Sequence, residues 1–158
     1  MPHRAIFGPP KETPAAGGLL VTVHLVPVFE GRLLAFDLAQ PHVRGRWLPW
    51  AVIEFGQNPY EAASLLADDW LDVPLVDLAL ADVLSLPGDG GGWELAIVYR
   101  AHPAAMPSAG ADRQPFLYAA GAFDAIGAFD PVDLERWVTI RAQPADVAPG
   151  AAAAGLVF

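Results

Sequence analysis

Apolar and polar positions change their period several times along the chain, and each change marks an element. Leu19 to Phe29 (LLVTVHLVPVF) is apolar and β-branched almost throughout, which predicts a strand. Pro27 places an edge position or a bulge near its end. Glu30-Gly31 is a short turn, and Arg32 to Leu38 (RLLAFDL) returns as the second strand of a hairpin. Gln40 to Arg46 (QPHVRGR) reads as a polar loop, followed by an irregular extended stretch through Trp50 to Phe55. At Asn58 the period becomes helical. Asn58 suits the N-cap, Pro59 the first helical position and Glu61 the third. The helix is predicted to run to about Leu71, because Asp72-Val73-Pro74 stops it. Ala62, Ala63, Leu66, Ala67, Trp70 and Val73 then share an apolar side. Glu61, Ser64, Asp68 and Asp72 share the opposite, solvated side.

Leu75 to Leu86 (LVDLALADVLSL) alternates in part and reads as a strand, with Asp77 and Asp82 breaking the pattern. Pro87 to Gly92 is a glycine-rich loop, and Trp93 to Ala101 (WELAIVYRA) is a strand hairpinned to its predecessor. His102 to Pro115 is a Pro/Ala/Gly loop, long enough to be either functional or disordered. Phe116 to Phe123 (FLYAAGAF) reads as a further strand. Asp130-Pro131 opens a last helix on which Leu134, Trp137, Val138 and Arg141 recur at helical spacing. Strands, a helix, more strands and a helix make an α+β layered domain. It is expected over residues 19–141, after an arm at 1–18 and before an Ala/Pro/Gly-rich tail at 142–158.

Composition narrows the chemistry. The 158 residues contain no cysteine, which excludes a disulfide framework, a cysteine zinc site and a thiol nucleophile. Nine basic and eighteen acidic residues give a net charge of −9, which argues against nonspecific binding to nucleic acid or anionic membrane. The 54% hydrophobic fraction is split into runs too short to span a bilayer and suits an oligomer interface, here a homodimer. With no signal-peptide pattern, the expected location is cytoplasmic.

Isolated catalytic motifs are few. His3, His24, His42 and His102 lie in separate elements without ligand spacing, and His24 reads as a packed or hydrogen-bonded strand residue. No serine sits in a nucleophile elbow. The glycines at 88 and 90–92 lack the Lys-Ser/Thr of a phosphate loop.

The segment RWLPWAVIEFGQNPYEAASLLADDWLDV is more informative. It resembles the Nudix family, whose pattern runs Trp-x-Leu-Pro-Gly-Gly, a Val-Glu-x-Gly-Glu turn, then a helix bearing Arg-Glu-x-x-Glu-Glu-x-Gly. Arg46-Trp47-Leu48-Pro49 matches the lead-in. Ile53-Glu54-Phe55-Gly56-Gln57 matches the turn, and Pro59, Glu61 and Ala62 the helix start. The preceding hairpin, the following hairpin and the closing DPVDLERW helix agree. The resemblance implies an α/β/α sandwich with a mixed sheet and flanking helices.

It also implies where divalent cations would be held, on several carboxylates of the helix. Here Gln57 stands at the turn glutamate, Leu65 and Leu66 at the Arg-Glu pair, and Trp70 at the last glutamate. Trp50-Ala51 replace two glycines. Glu54 and Asp69 remain as acids that could hold a metal, and Asp112, in the long loop, as a possible base. Arg44 and Arg46 could hold phosphate through their guanidinium forks. Trp47 and Trp50 could stack on a base or fill the core, and Gln57 lines the same turn. The expected function is a non-hydrolytic module that binds a nucleotide, another small phosphate-containing ligand, or a protein, with no cofactor. The alternative is a hydrolase of a nucleoside diphosphate derivative with a displaced or reduced Mg²⁺ or Mn²⁺ site.

Overall fold

The computed structural model describes residues 18–40, 43–88 and 91–140. Strand β1 (Leu19–Phe29) is the centre of the fold. It turns through Glu30 and Gly31 into β2 (Arg32–Gln40), and both turn residues have positive φ (50° and 74°), as a two-residue type I′ hairpin turn requires. β3 (Val43–Trp47) and β4 (Trp50–Val52) follow, then helix α1 (Pro59–Trp70). β5 (Leu75–Pro87), β6 (Trp93–Pro103) and β7 (Arg113–Leu117) come next, and α2 (Pro131–Thr139) is last.

The sheet is mixed. β1 runs parallel to β6, in register from Leu19 opposite Trp93 to Pro27 opposite Ala101. It pairs antiparallel with β4 on its other edge. β5 adds antiparallel to β6 and forms one end of the sheet. β2 pairs with β1 only near the hairpin, and then with β3 and β7 on its two sides.

Side chains alternate across a strand, so the two sheet faces build two core layers. Val23, Leu25, Leu34, Phe36 and Tyr99 meet Ala62, Ala63, Leu66 and Ala67 of α1. Val26, Val28, Leu33, Ala35 and Val98 meet Leu134, Trp137 and Val138 of α2. The architecture is α+β, a mixed sheet with a helix on each face.

Both helices start as their sequences predict. Asn58 Oδ1 accepts from Tyr60 N at 2.8 Å, and Asp130 Oδ1 from Asp133 N at 2.9 Å. Each cap satisfies an N–H that the helix itself leaves without a partner.

Three segments differ from expectation. The loop expected at Gln40–Arg46 is largely strand β3, because residues 43–47 find a partner in β2 and Arg46 pairs across the ladder with Asp37. The strand expected at Phe116–Phe123 is displaced towards the N-terminus and becomes β7, Arg113–Leu117. Pro115 is tolerated there because β7 is an edge strand bonded only to β2. The long loop therefore shrinks to residues 104–112. In β5, register shifts between Leu75 and Asp77 and between Leu80 and Asp82 account for the broken alternation. The second lets Asp82 accept from Trp137 Nε1 at 3.0 Å and Arg136 Nη2 at 2.6 Å. Residues 1–17 and 141–158, which hold most of the expected arm and all of the tail, lie outside the described residues.

Candidate functional site

The segment between β4 and α1 is tied down at its start by Ile53 N, which donates to Val21 O of β1 at 2.9 Å. The turn then closes on itself. Gln57 N donates to Glu54 O at 3.0 Å, and Glu54 N donates to Gln57 Oε1 at 3.2 Å. Gly56 has a φ of 81°, a left-handed conformation that suits a residue without Cβ. Gln57 thus braces the turn backbone with its side chain. The Glu54 side chain is exposed.

Along α1, Leu66 is buried against the sheet while Leu65 is exposed. Trp70 is half-buried, its ring edge-on to Phe36 at 5.4 Å between centroids. Asp69 is exposed beside it, with Asp68 and Asp72 on the same helix end. The side chain that reaches this end is Arg113 of β7. Arg113 Nη1 donates to Asp69 O at 3.0 Å, and Nη2 to Asp69 Oδ2 at 3.4 Å. Its guanidinium carbon lies 4.2 Å from the centre of the Trp70 ring. α1 has no basic residue in its last turn, so Arg113 supplies from another element the positive charge that a helix C-terminus favours.

The other expected binding residues are spread over both faces of the sheet. Arg46 lies in β3, not in a loop, and faces away from α1. Its Nε and Nη2 donate to the Asp37 carboxylate at 2.8 and 3.1 Å, and its guanidinium stacks 3.4 Å above the Phe116 ring. The Asp37 hydrogen bonds raise its pKa further above the usual arginine value, against the opposing effect of burial. Arg44 also lies in β3, and its side chain is outside the described set. Trp47 and Trp50 are half-buried and pack against the α1 layer. Asp112 is exposed, and its carbonyl accepts from Ala39 N at 3.1 Å. Glu54 and Gln57 therefore lie in the turn before α1 and Asp69 in its last turn, at the opposite end of the helix, whereas Arg46 is on the other side of the sheet.

Solved structures share this fold. A MutT Nudix hydrolase from Burkholderia pseudomallei matches with a TM-score of 0.60 at 20% identity, over 75% of this chain and 97% of its own. A MutT protein from Methanosarcina mazei Go1 matches at 0.61 with 14% identity, over 80% and 94%. The chain has a Nudix fold. A Nudix hydrolase from Nitrosomonas europaea agrees, at 0.58 and 18% identity over 80% and 71%. No protein-family model and no curated protein matches the sequence.

The Nudix resemblance assigns divalent cations to carboxylates on α1. Mg²⁺ asks for several oxygen ligands at about 2.0–2.1 Å in octahedral array. Asp69 is the acid at an expected ligand position on the helix, and it is turned to a guanidinium. Among the described residues no three His, Asp or Glu side chains group closely enough to hold a metal ion. No described helix is long and apolar enough to cross a membrane.

Sequence reading missed two features. One is Arg113, whose partner is distant in the chain and whose strand was expected to begin later. The other is a buried polar group on the α2 side. Thr22, His24 and Glu94 are 1%, 4% and 2% exposed. Thr22 Oγ1 hydrogen-bonds Glu94 Oε1, and His24 Nε2 lies 3.0 Å from Thr22 Oγ1 and 3.5 Å from Glu94 Oε1. Thr22 and His24 stand at period two in an otherwise apolar strand, which was a visible signal. The parallel pairing that brings Glu94 to them was not. His24 also lines a small recess with Trp47, Leu48 and Phe129, with room for about one water molecule.

Proposed function

We propose that this chain is a non-hydrolytic binding module built on the Nudix fold, and that its partner is a protein surface. The observation that carries the reading is the engagement of Asp69 by Arg113. A side-chain cation on the helix carboxylate competes with a metal ion for the same oxygen. A diphosphate brought near α1 would meet Asp68, Asp69 and Asp72 with no described arginine other than Arg113 in reach. Like charges at this separation oppose binding unless a metal neutralises them. The exposed surface around the turn is instead apolar, with Val52, Phe55, Tyr60 and Leu65 in solvent. Such side chains, set among acids, suit a protein contact.

The second reading is a hydrolase using Glu54 and Asp69, favoured by the match to solved Nudix hydrolases. One assay separates the two. The protein is mixed with Mg²⁺ or Mn²⁺ and a panel of nucleoside diphosphate derivatives, and phosphate release is followed. The expected result is no metal-dependent turnover. Turnover lost in Glu54→Gln or Asp69→Asn would overturn the binding-module reading and establish a reduced metal site.

A further inference from the structure

Arg32 donates to the carbonyls of Tyr118 and Leu117, Arg46 to Asp37, Arg113 to Asp69, and Arg136 to Asp82 and Asp133. Arg100 differs. Its Nε–H is buried and has no hydrogen-bond partner among the described residues. A buried donor left without an acceptor suffers its full loss of hydration, and more so when it carries charge. Native structures rarely leave such a group, and each case calls for an explanation.

The surroundings supply one. Arg100 stands on β6 between Val26 of β1 and Ala79 of β5, neither of which offers a polar side chain. It shares its face with Val98 and His102, the face turned away from α1. Asp77 lies across the ladder from His102, with its Oδ2 3.8 Å from His102 Nδ1. Asp77 acts on Arg100 through space and makes no bond to its Nε. Burial, then the charge of Arg100, holds His102 below its usual pKa, and Asp77 offsets this only in part. The downward shift favours the uncharged imidazole, which can donate one N–H. Arg100 and His102 are both partly exposed as residues, while Arg100 Nε itself is shielded from solvent.

We infer that Arg100 and His102 form a receptor for a single oxyanion, a carboxylate or a phosphate group, on the sheet face remote from α1. Guanidinium forks match both groups, and an anion admitted past the covering of Nε would satisfy the donor that the fold leaves without an acceptor. This inference is independent of the reading of α1 and holds whichever chemistry that helix supports.

The test follows the Arg100 Nε–Hε signal by nuclear magnetic resonance while inorganic phosphate or acetate is added, against sodium chloride at matched ionic strength. The expected result is a saturable movement of that signal with at least one of the two anions, and the one that acts names the source. For variants the His102 ring signals serve as the reporter. Arg100→Met should raise the half-saturating concentration roughly tenfold or more. Asp77→Asn removes the competing carboxylate and should lower it. No movement beyond that with chloride, or equal affinity in wild type and Arg100→Met, would overturn the site. Should Arg100→Met fail to fold, the wild-type titration and Asp77→Asn still decide.

Discussion

Asp82 shows how one carboxylate connects a strand irregularity to a helix. Burial by itself would raise its pKa. The hydrogen bonds from Trp137 Nε1 and Val83 N, together with Arg136, outweigh burial and hold the carboxyl below the usual 3.8. A folded-state value below the unfolded one stabilises the fold above the unfolded pKa, and that stability is lost as pH falls through the folded value. Asp82→Asn should therefore flatten the loss of stability below pH 3.8, read as the urea midpoint against pH. Curves that stay parallel down to pH 2 would show that Asp82 carries no such role. The same residue marks a limit of sequence reading. Asp77 and Asp82 registered only as interruptions of a strand pattern, because a bulge is defined by the opposite strand. Asp69 was visible as the acid left on the helix. Its pairing with Arg113 was not, since the two lie in different elements and meet only through the β2–β7 ladder.

Elements whose signals are local were the legible ones. Asn58-Pro59 and Asp130-Pro131 announce helix starts within two residues, and both caps form. Asn58→Ala should cost about 1 kcal/mol of stability, measurable by chemical denaturation. A change within error would mean that Pro59 and the packing of α1 suffice to start the helix. The Glu30-Gly31 hairpin was equally plain, since its turn chemistry is contained in adjacent residues. β3 and β7 were misplaced for the converse reason. VRGRW and RQPFL carry no strand periodicity of their own, and each is extended because β2 offers it a free edge.

At the scale of the molecule, one sheet carries two separate apolar layers, and each helix covers one of them. Trp137 is fully buried in the α2 layer, where its ring meets Phe129 edge-on at 5.0 Å. Trp137→Ala should remove roughly 3–5 kcal/mol, a large share of what a domain of this size typically holds. Its thermal unfolding should remain one transition, because β1 contributes alternate residues to both layers. Two resolved transitions would show that the layers melt independently. The central place of β1 also governs how the chain reaches this structure. Leu19 pairs with Trp93 in parallel, across nearly the whole intervening domain. During synthesis β1 leaves the ribosome long before its neighbour β6 exists. Until then the β2 hairpin, the short β4 and α1 can shelter its buried run, Val23 to Val28, but the edge that pairs with β6 stays open. A nascent chain halted before residue 93 would therefore present an open, apolar strand edge, the kind of segment that chaperones bind and that aggregates when they do not.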